Sequence, residues 1–346
     1  MSRSLPNRPP TNFDFSGSKV IYHHGNRKVY KIREEYILKR VPFDINSEAA
    51  THRFVQSSGT STPVPYIYDE WLSEDRTQHY ILEGRIAGET VGDAWPRLST
   101  AAKHSAARQV VTYMERLASF RSDRLESVAH RRVITNNFVP KPLTTHLAGK
   151  WRTDAEIFHH EFRPALTQAG VSSSTITLLQ RTMPPCAGQL VFTHGDLYVG
   201  NVMVNPATAE ITAIIDWESA GFWPAWFQYA RITDGCSPVD GEWKALLSSL
   251  MRDKIPHAEH GRVWWCAVQE FLYNEDSGKG KAWVGLLGRY LRGEAVDLGR
   301  FKEVEVERPT GLFGTASRAV ERFNGRRGRG AASYYSTALG TMKRTR

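Results

Sequence analysis

Between Gln189 and Asp216 the sequence alternates short apolar runs with turn signals, a pattern that leaves few architectures open. Gln189-Leu190-Val191-Phe192-Thr193 reads as a buried strand that ends in the turn His194-Gly195-Asp196. Val202-Met203-Val204 is a second short strand, closed by the turn Asn205-Pro206. Ile211-Thr212-Ala213-Ile214-Ile215 is a third, and it delivers Asp216 at its end. Two strands joined by a short turn set Asn201 and Asp216 at neighbouring sheet ends, where both reach one metal ion. Gly195 lets the backbone turn sharply just ahead of Asp196.

The chemistry follows from the residue types. A carboxylate such as Asp196 can take the proton of an attacking hydroxyl within hydrogen-bond reach. Asn201 and Asp216 offer oxygen ligands to a hard octahedral cation, and Mg²⁺ is the one that accompanies the phosphates of ATP. Phosphoryl transfer asks little covalent chemistry of a protein and much positioned charge. The string Asp196-Leu197-x-x-x-Asn201 also matches the catalytic loop of protein kinases. The strands around it make the match far more specific than the string alone.

Two blocks carry a resemblance to a known family: Phe192-Thr193-His194-Gly195-Asp196-Leu197 through Asn201, and Ile214-Ile215-Asp216-Trp217-Glu218-Ser219-Ala220-Gly221-Phe222-Trp223-Pro224. They resemble the aminoglycoside phosphotransferase (APH) family, most closely its fungal-type branch of phosphotransferase enzymes. The likeness continues through Trp226-Phe227-Gln228-Tyr229-Ala230-Arg231. It implies an α+β, bilobal protein-kinase-like fold, with a small antiparallel β N-lobe, a larger mostly helical C-lobe and ATP between them. It also implies that His194 shapes the loop and is not the base. Tyr198 replaces a histidine common in the family loop, a change that removes no required functional group.

The N-terminal part reads as the other half of a nucleotide site. Lys19-Val20-Ile21-Tyr22 and Lys28-Val29-Tyr30-Lys31-Ile32 flank His23-His24-Gly25-Asn26 as a hairpin, and Glu35 to Val41 is a third strand ending at Pro42. Kinase-like sites need a strand lysine for the phosphates and a helix glutamate to hold it. Lys39 is the choice, with Glu48 on a helix beginning near Asn46 as its partner and Lys31 as the runner-up. The hairpin carries one glycine, Gly25, where a kinase loop has three, and its backbone amides are the groups available there to cap phosphates. Val64 to Asp69 and Tyr80 to Gly88 resemble the two strands that end in the family hinge. Leu82, Glu83 and Ile86 would lie along the adenine through backbone groups, and Gly84 stands where a larger, often acidic residue is expected.

Charge and composition narrow the class. The chain has 346 residues, 41% hydrophobic and 23% charged, enough for one or two ordinary cores. Residues 317 to 346 contribute +7 of the net +9 and leave +2 for the rest, so the body is near neutral. That tail reads as disordered. Contact with nucleic acid is a reading no better supported there than a solvated terminus. Cys186, Cys236 and Cys266 lack the spacing of a disulfide framework or zinc site, which points to a reducing, cytoplasmic setting. No stretch has the length of a membrane span. The expected organisation is a flexible N-terminus at 1–17, a nucleotide-binding N-lobe at 18–86, a catalytic and acceptor-binding C-lobe at 87–298 and a basic tail at 299–346.

The remaining helices fill the larger lobe. Ser99 caps a helix to Phe120 with Ala106, Val110, Met114 and Leu117 on one face. A shorter helix runs up to Pro164, with Phe158 and Phe162 inward and His159 and His160 as surface or packing residues. Trp264, Ala267, Val268, Phe271 and Leu272 form a core stripe. Gly278-Lys279-Gly280-Lys281 resembles a phosphate loop without the Walker A spacing and is expected as a solvated turn. The segment after Asp216 lacks the Ala-Pro-Glu signal that accompanies protein substrates, which favours a small hydroxylated acceptor. Glu218, Asp234, Asp240, Glu270, Glu275 and Asp276 are the acids available to a polycationic one. The sequence thus reads as a cytoplasmic small-molecule kinase using ATP and Mg²⁺, with a catalytically silent nucleotide-binding interaction protein as the alternative.

Overall fold

The computed structural model describes residues 14–42, 48–129, 151–186, 188, 190–232, 237–273 and 277–296. Cys236, Asp234, Glu275, Asp276, Asn46 and the basic tail lie outside them. The N-terminal part is a five-stranded antiparallel sheet: β1 (Lys19–His24), β2 (Arg27–Ile32), β3 (Tyr36–Pro42), β4 (Ile67–Leu72) and β5 (Gln78–Gly84), in the order β1-β2-β3-β5-β4. One helix, α1 (Glu48–Ser57), joins β3 to β4.

Strand β3 shows how the sequence separates the two faces, since successive side chains point to opposite sides. Leu38 packs with Ile32, Trp71 and Leu82 on the outer face, where Tyr80 stacks on Trp71. Ile37 and Lys39 face the other way, toward the second half of the chain.

Two strand boundaries differ from expectation. β4 begins at Ile67 and not Val64, because Pro63 and Pro65 cannot donate to a ladder and their carbonyls are used elsewhere. The Pro63 carbonyl accepts the Ile214 N–H, and that of Pro65 lies 3.2 Å from His52 Nδ1. β5 stops at Gly84, and residues 85–88 form the connection between the two halves. There Gly88 takes φ +110, with the Val204 carbonyl oxygen 2.6 Å from where a Cβ would sit.

The second half continues with β6 (Glu89–Thr90), α2 (Val91–Ala94), α3 (Thr100–Leu117) and β7 (Arg121–Ser122). Ser99 accepts the Ala102 N–H as N-cap of α3, and Ala106, Val110, Met114 and Leu117 are buried as expected. Next come α4 (Asp154–Ile157), a π-helical turn (Phe158–Phe162), α5 (Arg163–Gln168) and α6 (Ser173–Arg181). Here the expectation of a helix ending at Pro164 is corrected. The chain widens into the π turn first, so Pro164 falls in the opening turn of α5, where its missing N–H costs little. His159 and His160 are exposed, and His160 stacks on Trp151.

Four short strands follow: β8 (Leu190–Thr193), β9 (Val202–Asn205), β10 (Glu210–Ile214) and β11 (Gly221–Pro224). They form two small antiparallel sheets, β10-β9-β6 and β11-β8-β7. Helices α7 (Ala225–Arg231), α8 (Pro238–Met251), α9 (Ala258–Tyr273) and α10 (Ser277–Leu291) complete the lobe. Trp217, Trp223, Trp226, Trp243, Trp264 and Trp265 are all fully buried in it. The expected turn at Gly278–Lys281 is instead the start of α10. Gly280 is there for packing: the Phe271 ring of α9 lies 2.7 Å from where its Cβ would be. Cys186 and Cys266 are buried, and no described helix is long and apolar enough to cross a membrane.

Candidate active site

The loop after β8 is held by side chains reaching it from several directions. His194 is completely buried, with Nδ1 accepting the Asp196 N–H at 3.1 Å and Nε2 3.0 Å from the Ile215 carbonyl oxygen. An imidazole that accepts at Nδ1 and donates at Nε2 is neutral. Burial depresses its pKa to about 4, although the nearby Asp196 carboxylate acts to raise it. Gly195 has φ +81, and an added Cβ would lie 3.1 Å from the Ser219 carbonyl oxygen. Its N–H donates to Gln228 Oε1 and its carbonyl accepts from Arg231 Nε. Farther along, the Val199 N–H donates to Asp240 Oδ1, and Trp243 Nε1 to the Leu197 carbonyl.

A neutral His194 makes a pH prediction whose sign is fixed. The unfolded histidine takes up a proton near pH 6.5 and the folded one near pH 4, so the unfolded state binds more protons between them. Its contribution to stability is present above about pH 6.5 and is lost as pH falls to 4, on the order of 3 kcal/mol in all. Urea denaturation of wild type and His194→Gln across pH 4–7.5 should show a steeper loss in wild type. Parallel profiles would contradict the assignment.

Asp196 remains about one-third exposed, with Oδ1 3.7 Å from Arg231 and Oδ2 accepting from Asn201 Nδ2 at 3.2 Å. Asn201 is fully buried, and its Nδ2 also donates to the Asp196 carbonyl. Among the described residues its buried Oδ1 has no hydrogen-bond partner. An orphaned acceptor of this kind carries a penalty of about 1–3 kcal/mol unless something binds it. The Ile215 N–H donates to the Asn201 carbonyl, which seats Asp216 beside Asn201. Asp216 adopts the left-handed conformation, φ 65 and ψ 57, a strained choice for a non-glycine residue that ends the strand abruptly. Burial, reinforced by Glu218 and Glu48, pushes its carboxyl well above the usual carboxylate range, while Lys39 and Arg27 pull it down.

Above this loop lies a buried ionic cluster. Lys39 Nζ is 2.6 Å from Glu48 Oε1 and 3.4 Å from Glu83 Oε1, and all three side chains are almost fully buried. His52, one turn along α1, has Nε2 3.7 Å from the same Glu48 oxygen. Burial acts to raise the Glu48 carboxyl, but Lys39 and His52 outweigh it and hold it far below the usual range. Glu48, Glu83, Asp216 and Glu218 thus face Lys39, Arg27 and His52, four acids to three basic side chains. That excess of negative charge, with the orphaned Asn201 oxygen, suits a divalent cation.

Beside the cluster, Ile21, Val29 and Ile37 of the sheet meet Met203, Ala213 and Ile215 in one apolar seam, flanked by Tyr22 and Ile86. α1 is anchored to the second half as well. Phe54 packs against Phe120 and Phe192, which fixes the helix that carries Glu48.

The predicted residues are therefore brought together in part. Lys39 pairs with Glu48, whereas Lys31, the runner-up, pairs with Glu34 at the surface. Gly25 forms the hairpin turn with φ +55, and Ile86 flanks the seam. Leu82 turns its side chain to the outer face, and Glu83 turns its own onto Lys39. The N–H groups of Gly84 and Arg85 are taken by the carbonyls of Tyr66 and Glu35, which leaves Ile86 as the next hinge amide. Two acids suggested for a cationic acceptor are otherwise engaged: Glu218 pairs with Arg27, and buried Asp240 pairs with Lys244 one turn along α8. Sequence reasoning missed Arg27, the pairing of Glu83 with Lys39 as its second carboxylate partner, and the contacts of Gln228 and Arg231. The alternation of β5, which puts Glu83 opposite Ile37, was the available signal for Glu83.

A small antiparallel sheet with one helix, a helical second lobe and this loop between them define a protein-kinase-like fold. The chain belongs to the phosphotransferase enzyme family (APH), which matches residues 21–249. Among solved structures it is similar to the streptomycin–ATP ternary complex of APH(2″)-IIa, at 15% identity and TM-score 0.50, covering 80% of this chain and 92% of that one. The GDP complex of an aminoglycoside 2′-phosphotransferase-IIIa mutant matches at 13% identity and TM-score 0.50, covering 82% and 92%. Among curated proteins, acyl-CoA dehydrogenase family member 11 of Rattus norvegicus is 24% identical over 199 residues, 55% of this chain and 24% of the relative. That of Gallus gallus is 21% identical over 193 residues, 54% and 23%. The chain spans about a quarter of the length of these curated relatives.

Proposed function

We propose that the protein is an ATP- and Mg²⁺-dependent phosphotransferase that moves the γ-phosphate to a hydroxyl of a small molecule. The observation that carries this reading is the orphaned Asn201 Oδ1 beside Asp216, in a site with excess negative charge and next to the accessible carboxylate of Asp196. Residues 18–86 form the nucleotide lobe and 87–298 the catalytic and acceptor lobe.

In this reading the adenine enters the seam of Ile21, Val29, Ile37, Met203 and Ile215, with Ile86 offering its backbone. Lys39, held by Glu48, meets the phosphates. Asn201 and Asp216 would hold Mg²⁺, which would neutralise charge on the phosphate oxygens. Asp196 accepts the acceptor's hydroxyl proton as the new O–P bond forms and the bond from γ-phosphorus to the β–γ bridging oxygen breaks, releasing ADP. Asn201 Nδ2 and Arg231 orient that carboxylate, and neutral His194 fixes the backbone beneath it. A cytoplasmic location accords with the wide spacing of Cys186, Cys236 and Cys266, which forms no disulfide framework.

The test is thermal unfolding with ATP, with and without Mg²⁺, followed by an ADP-release screen over streptomycin, choline-like alcohols and sugars. The expected result is stabilisation by ATP that requires Mg²⁺, then turnover with one acceptor class. Stabilisation without turnover would favour a catalytically silent nucleotide-binding protein, and no stabilisation at all would remove the nucleotide reading.

A further inference from the structure

The hairpin between β1 and β2 carries a single glycine, so backbone amides alone make a poor cover for a triphosphate. The residue that follows the turn supplies charge there. Arg27 opens β2 directly after Gly25-Asn26, and its Nη1 donates to Glu218 Oε1 at 2.5 Å across the gap between the two halves of the molecule. The two side chains are 29% and 20% exposed, sheltered but open to solvent. Glu218 stands two residues beyond Asp216. The hairpin tip is thus tied by an ion pair to the turn that carries the proposed metal ligand.

We propose that Arg27 is a catalytic residue that binds the terminal phosphate of the nucleotide, with Glu218 as the partner that positions it beforehand. The inference rests on the phosphotransferase reading. A guanidinium has five donors in a planar fork and stays charged at any working pH, so it can serve a carboxylate and a phosphate oxygen together. Lys39, reached from the inner face of β3, approaches the phosphates from the sheet side. Arg27 approaches from the hairpin tip, beside Asp216, where the phosphate nearest Asp196 would lie. The arrangement needs no glycine-rich loop: a side chain replaces backbone amides as the cover.

Isothermal titration of wild type, Arg27→Ala, Arg27→Lys and Glu218→Gln with Mg-ATP and with Mg-ADP tests this. Melting curves of each protein confirm that it is folded. Arg27→Ala should weaken Mg-ATP roughly 10- to 100-fold, the range for a charge-assisted hydrogen bond, and Mg-ADP by less than about threefold. Arg27→Lys should recover part of the loss for ATP, and Glu218→Gln should keep the preference for ATP over ADP. Equal losses for both nucleotides, or none for either, would make Arg27 a staple between lobes and overturn the proposal. Failure of wild type to bind Mg-ATP would instead overturn the phosphotransferase reading on which it rests.

Discussion

Asp196→Asn should lower kcat by about 10²- to 10⁴-fold, the usual contribution of a positioned general base, while leaving the fold and the affinity for Mg-ATP nearly unchanged. The substitution keeps the shape of the side chain, and its remaining oxygen can still accept from Asn201 Nδ2, which donates to Oδ2 at 3.2 Å. What it removes is the ability to take a proton. Because Asp196 is about one-third exposed, losing its charge strands no deeply buried partner; Arg231, at 3.7 Å, keeps its bond to the Gly195 carbonyl. Steady-state ADP release with the acceptor that supports turnover, set beside calorimetric nucleotide affinity, separates the two quantities. A kcat within about threefold of wild type would rule Asp196 out as the base. A parallel collapse of Mg-ATP affinity would reassign it to the metal site.

Lys39→Met should have the largest effect on stability. It leaves Glu48 and Glu83 as two carboxylates in a nearly dry environment with their common cation gone. Removing one partner of a buried ion pair costs about 3–5 kcal/mol, because the charge left behind has no compensation. Nucleotide affinity should fall as well, since the group meant for the phosphates is absent. The destabilisation is separable from the loss of lysine by a second variant. Lys39→Met combined with Glu48→Gln and Glu83→Gln carries no charge at these three positions and should recover much of the stability without recovering activity. Chemical denaturation of both proteins gives the comparison. If the triple variant is no more stable than Lys39→Met, the three residues do not act as one electrostatic unit.

How much of this was legible before the structure depends on the range of the contacts involved. The loop from Phe192 to Asp216 was readable because its strands are short, apolar and separated by strong turn signals, and β8, β9 and β10 fall where those signals put them. The pairing of Lys39 with Glu48 was readable from chain order, a strand lysine followed by a helix glutamate. The helix capped by Ser99 was readable from its cap and its period. Errors fell where a local signal was overruled from a distance. Pro164 reads as a helix end, but a π turn before it lets the helix continue. Gly278 to Lys281 reads as a turn, but close contact with the Phe271 ring selects a helix in which glycine is the residue that fits.

The sequence by itself determined the chemistry on offer: a carboxylate, an amide and a second carboxylate at strand ends, with a lysine and a glutamate upstream. Only the tertiary structure decided how these groups are held. It placed Glu83 against Lys39 through the register of β3 and β5, which are distant in the chain. It set Arg27 against Glu218, 191 residues apart, and brought Gln228 and Arg231 back onto the loop that carries Asp196. The physical reason is that strand periods and turn residues act over a few neighbours and are written locally. A buried ion pair depends on which distant elements exclude water together, and that is settled when the two halves pack.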